Sequence, residues 1–269
     1  MQKKLLFKII LFFLISHNQL ICKDFIILQS TTSARDSGLY DFILPNFFKK
    51  TQIEVRVVAV GTGQAIKNAE RCDADVLIAH HRESEEKFLE EGYGVWRKEF
   101  MYNDFVLIGP DFDPGKVRES HSIVSAFKSI RNNEINFISR GDDSGTHKKE
   151  VFLWSSSGID PNPRKDKWYL SVGQSMGGAI NIAVNKEAYI LSDRSTWLSF
   201  KNKKNHVILV ENEPLLYNYY GVIPISPKKC PDVKFEKAEI FINWLVSPET
   251  MQLISSYEIE NQQLFFPTN

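Results

Sequence analysis

Charge of either sign is never in surplus in this 269-residue chain, where 33 lysines and arginines stand against 33 aspartates and glutamates. No basic run exceeds two residues, as at Lys203-Lys204 and Lys228-Lys229, whereas a nucleic-acid binder concentrates basic residues on one face. Nucleic acid is therefore excluded as the main partner. Cysteine is scarce, with three in all, and neither a paired-cysteine zinc motif nor His-Glu-x-x-His occurs. A phosphate-loop Gly-Lys-Ser/Thr is missing as well, and Gly61-Thr62-Gly63 is no dinucleotide fingerprint, because Ile66 holds the third glycine position. No cofactor is expected. Internal repeats, low-complexity tracts and Gly/Ser linkers are also absent, so any two lobes would be joined by crossing strands rather than by a tether.

Long apolar runs are confined to the N-terminus. Lys3 and Lys4 precede an apolar stretch over 5–15, interrupted by Lys8, and polar residues follow from Ser16. This is the pattern of a secretory signal peptide, shorter than the roughly 20 apolar residues of a membrane span. Residues 1–22 are read as that signal, with an uncleaved anchor as the alternative, and the mature chain is expected in the periplasm. The residues before Cys22 do not form a small-residue lipidation site. Export permits a disulfide between Cys72 and Cys230, but two free buried thiols fit the sequence equally well.

From Asp24 onward strand-like and helix-like stretches alternate, which marks an α/β fold. Strands are expected at 25–28, 54–60, 76–79, 105–108, 136–139 and 217–225. Pro45 is expected to split the apolar helical pattern of Leu39, Phe42, Ile43 and Phe47 into two short helices, and Pro248 to divide 237–257 likewise. Gly92 should stop a charged helix over 84–91.

Three stretches share one design, in which a strand ends, small hydroxyl or glycine residues follow, and a helix begins. They are Ser30-Thr31-Thr32-Ser33, Gly61-Thr62-Gly63, and Arg140-Gly141-Asp142-Asp143-Ser144-Gly145-Thr146. Each offers backbone N–H groups, hydroxyls and a helix N-terminus, the elements of an anion site. Any one of them alone also reads as a plain helix cap. The third is the most specific, because Arg140 can bind an oxyanion bidentately while Ser144, Gly145 and Thr146 add hydroxyls and successive amides.

Eight stretches carry a resemblance that covers nearly the whole mature chain: STTSARDSGLYDFILPNFFKKT at 30–51, VVAVGTGQA at 57–65, DADVLIAH at 73–80, EGYGV at 91–95, MYNDFVLIGP at 101–110, SRGDDSGTHKKE at 139–150, GQSMGGAI at 173–180 and LSDRSTW at 191–197. In these the chain resembles the tungstate-binding proteins of tungstate ABC importers, in the type II periplasmic binding protein class. The 140–146 loop is also similar to the ligand loop of phosphate-binding proteins, which leaves molybdate- or phosphate-type oxyanions as the alternative to tungstate. The chain departs from the family at Ser30, where a threonine is usual, at Arg35, where a neutral residue is commoner, and at Ser175, where glycine is usual.

The resemblance implies a two-lobed fold, with 24–103 and 220–269 in one lobe, 104–219 in the other, and the anion between them. Thr31, Thr32, Ser33 and Thr62 would approach from the first lobe, joined in the candidate set by Ser30. Arg140, Ser144, Gly145 and Thr146 would approach from the second. Asp142 is expected to orient Arg140 rather than face the anion. The partners implied are the oxyanion and the permease and ATPase subunits of an importer, with the binding protein itself a monomer. The competing reading is an enzyme built on Ser144, His147, Asp193 and Arg194; His147 is expected instead to cap or pack in the first turn of its helix. A third reading is an orphan sensor of the same fold. His80 and His81 are vicinal, so their rings should point apart and share no metal.

Overall fold

The computed structural model describes residues 24–142 and 144–268, so the signal-peptide reading and Asp143 lie outside the described residues. The chain opens with β1 (Phe25–Thr31), α1 (Thr32–Asp36), α2 (Leu39–Thr51), β2 (Glu54–Val60), α3 (Thr62–Glu70), β3 (Val76–Ala79), α4 (Arg82–Glu90) and β4 (Lys98–Pro110). It continues through α5 (Ile123–Asn132), β5 (Phe137–Ser139), α6 (Gly145–Ser156), β6 (Tyr169–Ser171), α7 (Met176–Lys186), β7 (Tyr189–Asp193), α8 (Arg194–Ser199) and β8 (His206–Val210). The last part holds β9 (Tyr217–Pro224), α9 (Phe235–Leu245), α10 (Pro248–Ser255) and three two-residue strands, β10 (Glu258–Ile259), β11 (Gln262–Gln263) and β12 (Phe266–Pro267).

The main sheet runs β2-β1-β3-β9-β4-β7-β5-β6. β1 is parallel to β2 and β3, and β5 is parallel to β6 and β7. The two parallel blocks are bridged by the antiparallel strands β4 and β9. One half of β4, from Lys98 to Asp104, pairs with β9, and the other, from Phe105 to Ile108, pairs with β7. β3 (VLIA) lies inside the sheet between β1 and β9 and has no exposed residue, whereas the edge strand β2 exposes Arg56 and Val58. One lobe is built on the core around Ile26, Leu28, Phe47, Tyr220 and Phe241, continued by Leu77, Phe88 and Ile223. The other is built on Leu107, Phe127, Phe137, Trp154 and Tyr189, continued by Ile138 and Ile180. The lobes share the crossing strands β4 and β9.

Local signals act as expected in several places. Gly92 takes φ +79° just past α4, and Ser247 with Pro248 opens α10; a reciprocal capping box of Ser122 and Ser125, not foreseen from the sequence, starts α5. Pro45 corrects the expectation of two short helices, because α2 runs unbroken from Leu39 to Thr51. The proline sits on the exposed face, where water can satisfy the carbonyl it frees, while Leu39, Tyr40, Ile43 and Phe47 hold the opposite face in the core. The cysteines are also settled: Cys72 and Cys230 form a disulfide across 158 residues. No helix among the described residues is long and apolar enough to cross a membrane.

Candidate functional site

A cleft of about 520 Å³ lies between the lobes. Thr31, Thr32, Ser33, Gly61 and Thr62 line it from one side; Arg140, Ser144, Gly145, Thr146 and the Ser175–Gly177 turn line it from the other. The opening residues of α3, α6 and α7 are among them, so three helices of nine residues or more present N-terminal amides and the positive ends of their dipoles to one volume.

Ser30 does not line this cleft. β1 extends to Thr31, and the two-residue period puts Ser30 on the same buried face as Ile26 and Leu28. Its hydroxyl meets the Tyr40 hydroxyl at 2.5 Å, so Ser30 serves the core. Thr31 Oγ1 lies 3.1 Å from Ser33 Oγ, which also reaches Tyr220 (3.3 Å) and His80 Nε2 (3.4 Å). Arg35 points outward to Asp36 at 2.7 Å.

The Arg140 loop is held from below. Gly173 N–H donates to Arg140 O (2.8 Å), and Gly141 N–H donates to Ser139 Oγ (3.2 Å). Ser139 in turn donates to the buried Glu150 carboxylate (2.8 Å), which also accepts from Tyr169 (2.7 Å) and Trp154 (3.2 Å). Gly141 has φ +63°, and a side chain there would collide with Ser171. Arg140 Nη2 donates to Asp142 Oδ2 (2.5 Å), while Asp142 Oδ1 accepts from Ser144 Oγ (2.6 Å) and Ser144 N (3.2 Å). The Arg140 Nε–H is buried and has no hydrogen-bond partner among the described residues. A buried, unpaired guanidinium donor is costly unless a ligand takes it.

The PBP superfamily domain model matches residues 22–249. The tungstate-binding protein TupA of Peptoclostridium acidaminophilum is 46% identical over 237 residues, covering 87% of this chain and 82% of that protein. This chain belongs to the TupA family of the PBP superfamily. The solved tungstate-binding protein TupA from Desulfovibrio alaskensis G20 superposes with a TM-score of 0.85 at 40% identity, over 91% of this chain and 99% of that one. The tungstate ABC transporter structure from Geobacter sulfurreducens gives 0.77 at 44% identity, over 87% and 98%. The Peptoclostridium acidaminophilum and Desulfovibrio alaskensis relatives are named as tungstate-binding proteins, and the Geobacter sulfurreducens structure as a tungstate ABC transporter.

Asn103, Asn218, Ser195 and Thr196 of this TupA member line the cleft but escaped sequence reasoning, and Asp193 entered it only through the enzyme alternative. Asn103 and Asn218 face each other across the crossing strands, with Asn218 Nδ2 donating to Asn103 Oδ1 (2.8 Å). Asp193, Ser195 and Thr196 also line the cleft, and they repeat the strand-end, hydroxyl, helix-start design that marked the other three loops. Asp193 is spent on its own helix, accepting from Thr196 N (2.8 Å), Thr196 Oγ1 (2.8 Å) and Ser195 Oγ (2.7 Å). Gly173-Gln174-Ser175-Met176-Gly177 has the Gly-x-Ser-x-Gly spacing of a nucleophile elbow. Yet among the described residues no histidine is hydrogen-bonded to Ser175, which stands exposed at the start of α7. Arg194, the other half of the enzyme reading, is buried against Asp104 (2.5 Å) and Glu211 (2.7 Å).

The two histidines part as their adjacency requires: His81 caps α4 through Ser84, and His80 faces the cleft. Burial lowers the His80 pKa to about 4, so its ring is neutral near pH 7. His147 packs in the first turn of α6 against Ser139 (3.2 Å) and Glu150 (3.4 Å), and the Glu150 hydrogen bond raises its pKa. Burial alone would raise the Asp142 carboxyl, but hydrogen bonds from Ser144 and the Arg140 charge hold it below its ordinary value. No group of three or more His, Cys, Asp or Glu among the described residues could hold a metal ion.

Proposed function

We propose that this protein captures a tetrahedral oxyanion, foremost tungstate, in the cleft and hands it to the permease of an ABC importer. The observation that carries the reading is the buried Arg140 Nε–H, unpartnered among the described residues, in a cleft lined by helix N-termini and hydroxyls. Thr31, Thr32, Ser33 and Thr62 bind from the lobe formed by 24–103 and 220–269; Arg140, Ser144, Gly145 and Thr146 bind from 104–219. The anion favours the closed arrangement because only there do donors from both lobes reach its oxygens. The protein acts outside the cytoplasmic membrane, as a monomer, after export through its N-terminal segment.

Tungstate is favoured over phosphate by the state of the carboxylates. Phosphate still carries a proton near neutral pH and gains from an acceptor, whereas tungstate and molybdate carry none and are repelled by a free carboxylate. The Asp142 and Asp193 side chains are acceptors already filled by Arg140, Ser144, Ser195 and Thr196. The relatives named as tungstate-binding support the same choice.

Thermal unfolding with tungstate, molybdate, phosphate and sulfate tests this. A ligand at roughly 1,000 times its Kd adds about 4 kcal/mol, which for a chain of this size raises Tm by roughly 8–16 °C. The expected result is a shift of that order with tungstate and little with phosphate. No shift with any of the four refutes oxyanion capture, and a shift with phosphate alone refutes tungstate.

A further inference from the structure

His80 joins the two sides of the cleft. It follows β3 in one lobe, and its ring lies against Gly145, the first residue of α6 in the other. A β-carbon built on Gly145 would come within 2.5 Å of His80 Cε1 and 3.4 Å of both ring nitrogens. The ring and the α6 backbone are therefore in contact, with no room for a methyl group between them.

Nor is the ring free to swing aside. It packs on the Tyr220 ring at 4.9 Å between centroids, and its Nε2 lies 3.4 Å from Ser33 Oγ. Tyr220 is itself fully buried and tied to Ser33 and Asn103, each at 3.3 Å. The contact thus runs from the crossing strand β9, through His80, to the loop that carries Arg140. Ser33 and Gly145, the residues His80 touches, line the same cleft as Thr62 and Arg140.

We propose that His80 is a specificity-determining stop, which fixes how closely α6 approaches the first lobe and so the smallest tetrahedral oxyanion the cleft can grip. The inference rests on the oxyanion reading above and adds a mechanism of size selection to it. Hydrogen bonds to an oxyanion need donor–acceptor distances of about 2.7–2.9 Å. When closure is stopped at a fixed width, an ion with longer central-atom–oxygen bonds, such as tungstate or molybdate, meets donors from both lobes. Sulfate, with shorter bonds, leaves donors unmet, and a buried donor left unmet costs affinity. The neutral ring contributes bulk and hydrogen bonding here, not charge.

The test measures tungstate, molybdate and sulfate affinities by calorimetry, with sulfate by displacement where it is weak, for wild type, His80→Ala, His80→Gln, Gly145→Ala and the His80→Ala/Gly145→Ala double variant. His80→Ala is expected to lower the tungstate-to-sulfate affinity ratio at least tenfold through tighter sulfate binding, while His80→Gln, which keeps much of the bulk, holds the ratio nearer to wild type. Gly145→Ala should weaken both ions, sulfate more, and the double variant should recover most of that loss because the methyl occupies space the ring vacates. An unchanged ratio in His80→Ala, or a double variant no better than Gly145→Ala, overturns the stop. If His80→Ala does not fold, the ratio in Gly145→Ala decides: equal weakening of both ions overturns it. A wild type that binds no oxyanion sinks the underlying reading, whereas a wild type that binds tungstate with an invariant ratio across the variants sinks the stop alone.

Discussion

Arg140→Ala is the substitution whose effect the geometry specifies most fully. The side chain is 16% exposed and spends Nη2 on Asp142, while its Nε–H has no partner among the described residues. Truncation removes a charge-assisted donor from the oxyanion and strips the Asp142 carboxylate, 30% exposed, of its guanidinium partner. The second effect matters because an ionised aspartate then faces a dianion. Removing one member of a buried, hydrogen-bonded charge pair in a binding site costs about 2–5 kcal/mol. A middle value of about 4 kcal/mol corresponds to a roughly 1,000-fold rise in Kd. Calorimetry with tungstate should show that loss with an unchanged stoichiometry. Arg140→Ala/Asp142→Asn should recover about tenfold of it, since the residual repulsion is gone. Asp142→Asn alone should weaken tungstate, by freeing Arg140 from its orientation. Arg140→Ala within tenfold of wild type, or a double variant no better than Arg140→Ala, would refute the assignment of Arg140 and Asp142 as one unit.

Ser30→Ala should leave tungstate affinity within about twofold, yet strand the buried Tyr40 hydroxyl at a cost of about 1–3 kcal/mol; a tenfold affinity loss with an unmoved Tm would return Ser30 to the cleft. Reducing the Cys72–Cys230 bond opens a 158-residue separation, for which loop entropy gives about 5 kcal/mol and so a fall in Tm of roughly 10 °C or more. A fall under about 3 °C in a scan with reductant would show that the unfolded chain gains little from the release. His80 is neutral in the fold with a pKa of about 4 against 6.5 unfolded, so the unfolded state binds more protons between these values and stability falls as pH drops from 6.5 to 4. The loss reaches at most about 3 kcal/mol. Denaturant titrations across this window should flatten in His80→Gln, and parallel curves for the two proteins would count against it.

The parts of this molecule legible in sequence are those decided locally. β2 and β3 announce themselves by β-branched and apolar runs, and Gly92 and Pro248 mark helix ends by their backbone chemistry alone. Thr31–Ser33, Thr62, Arg140 and Ser144–Thr146 carry a recurring local design and line the cleft together. Ser30 misled because its hydroxyl belongs to that design, while the two-residue strand period, one position earlier than the loop, turns it into the core. Asn103 and Asn218 could not be found, since the partnership depends on an antiparallel register between residues 115 apart. His80 was legible only as half of a vicinal pair; its role depends on Gly145 arriving from the other lobe. Pro45 was misjudged because propensity was weighed without the four buried side chains that hold α2 straight.

The positive character of the cleft comes from helix ends, whose influence fades within about one turn, and from a guanidinium largely cancelled by its own carboxylate. Without the signal segment at 1–22, which holds Lys3, Lys4 and Lys8 and no acid, 30 basic residues stand against 33 acidic ones, so no long-range field draws an anion inward. Encounter is then ordinary diffusion, nearly indifferent to ionic strength, and one wandering ion meets the mouth as often as another. Discrimination has to be written in departure: a fitting ion is one whose release must wait for two lobes to let go at once.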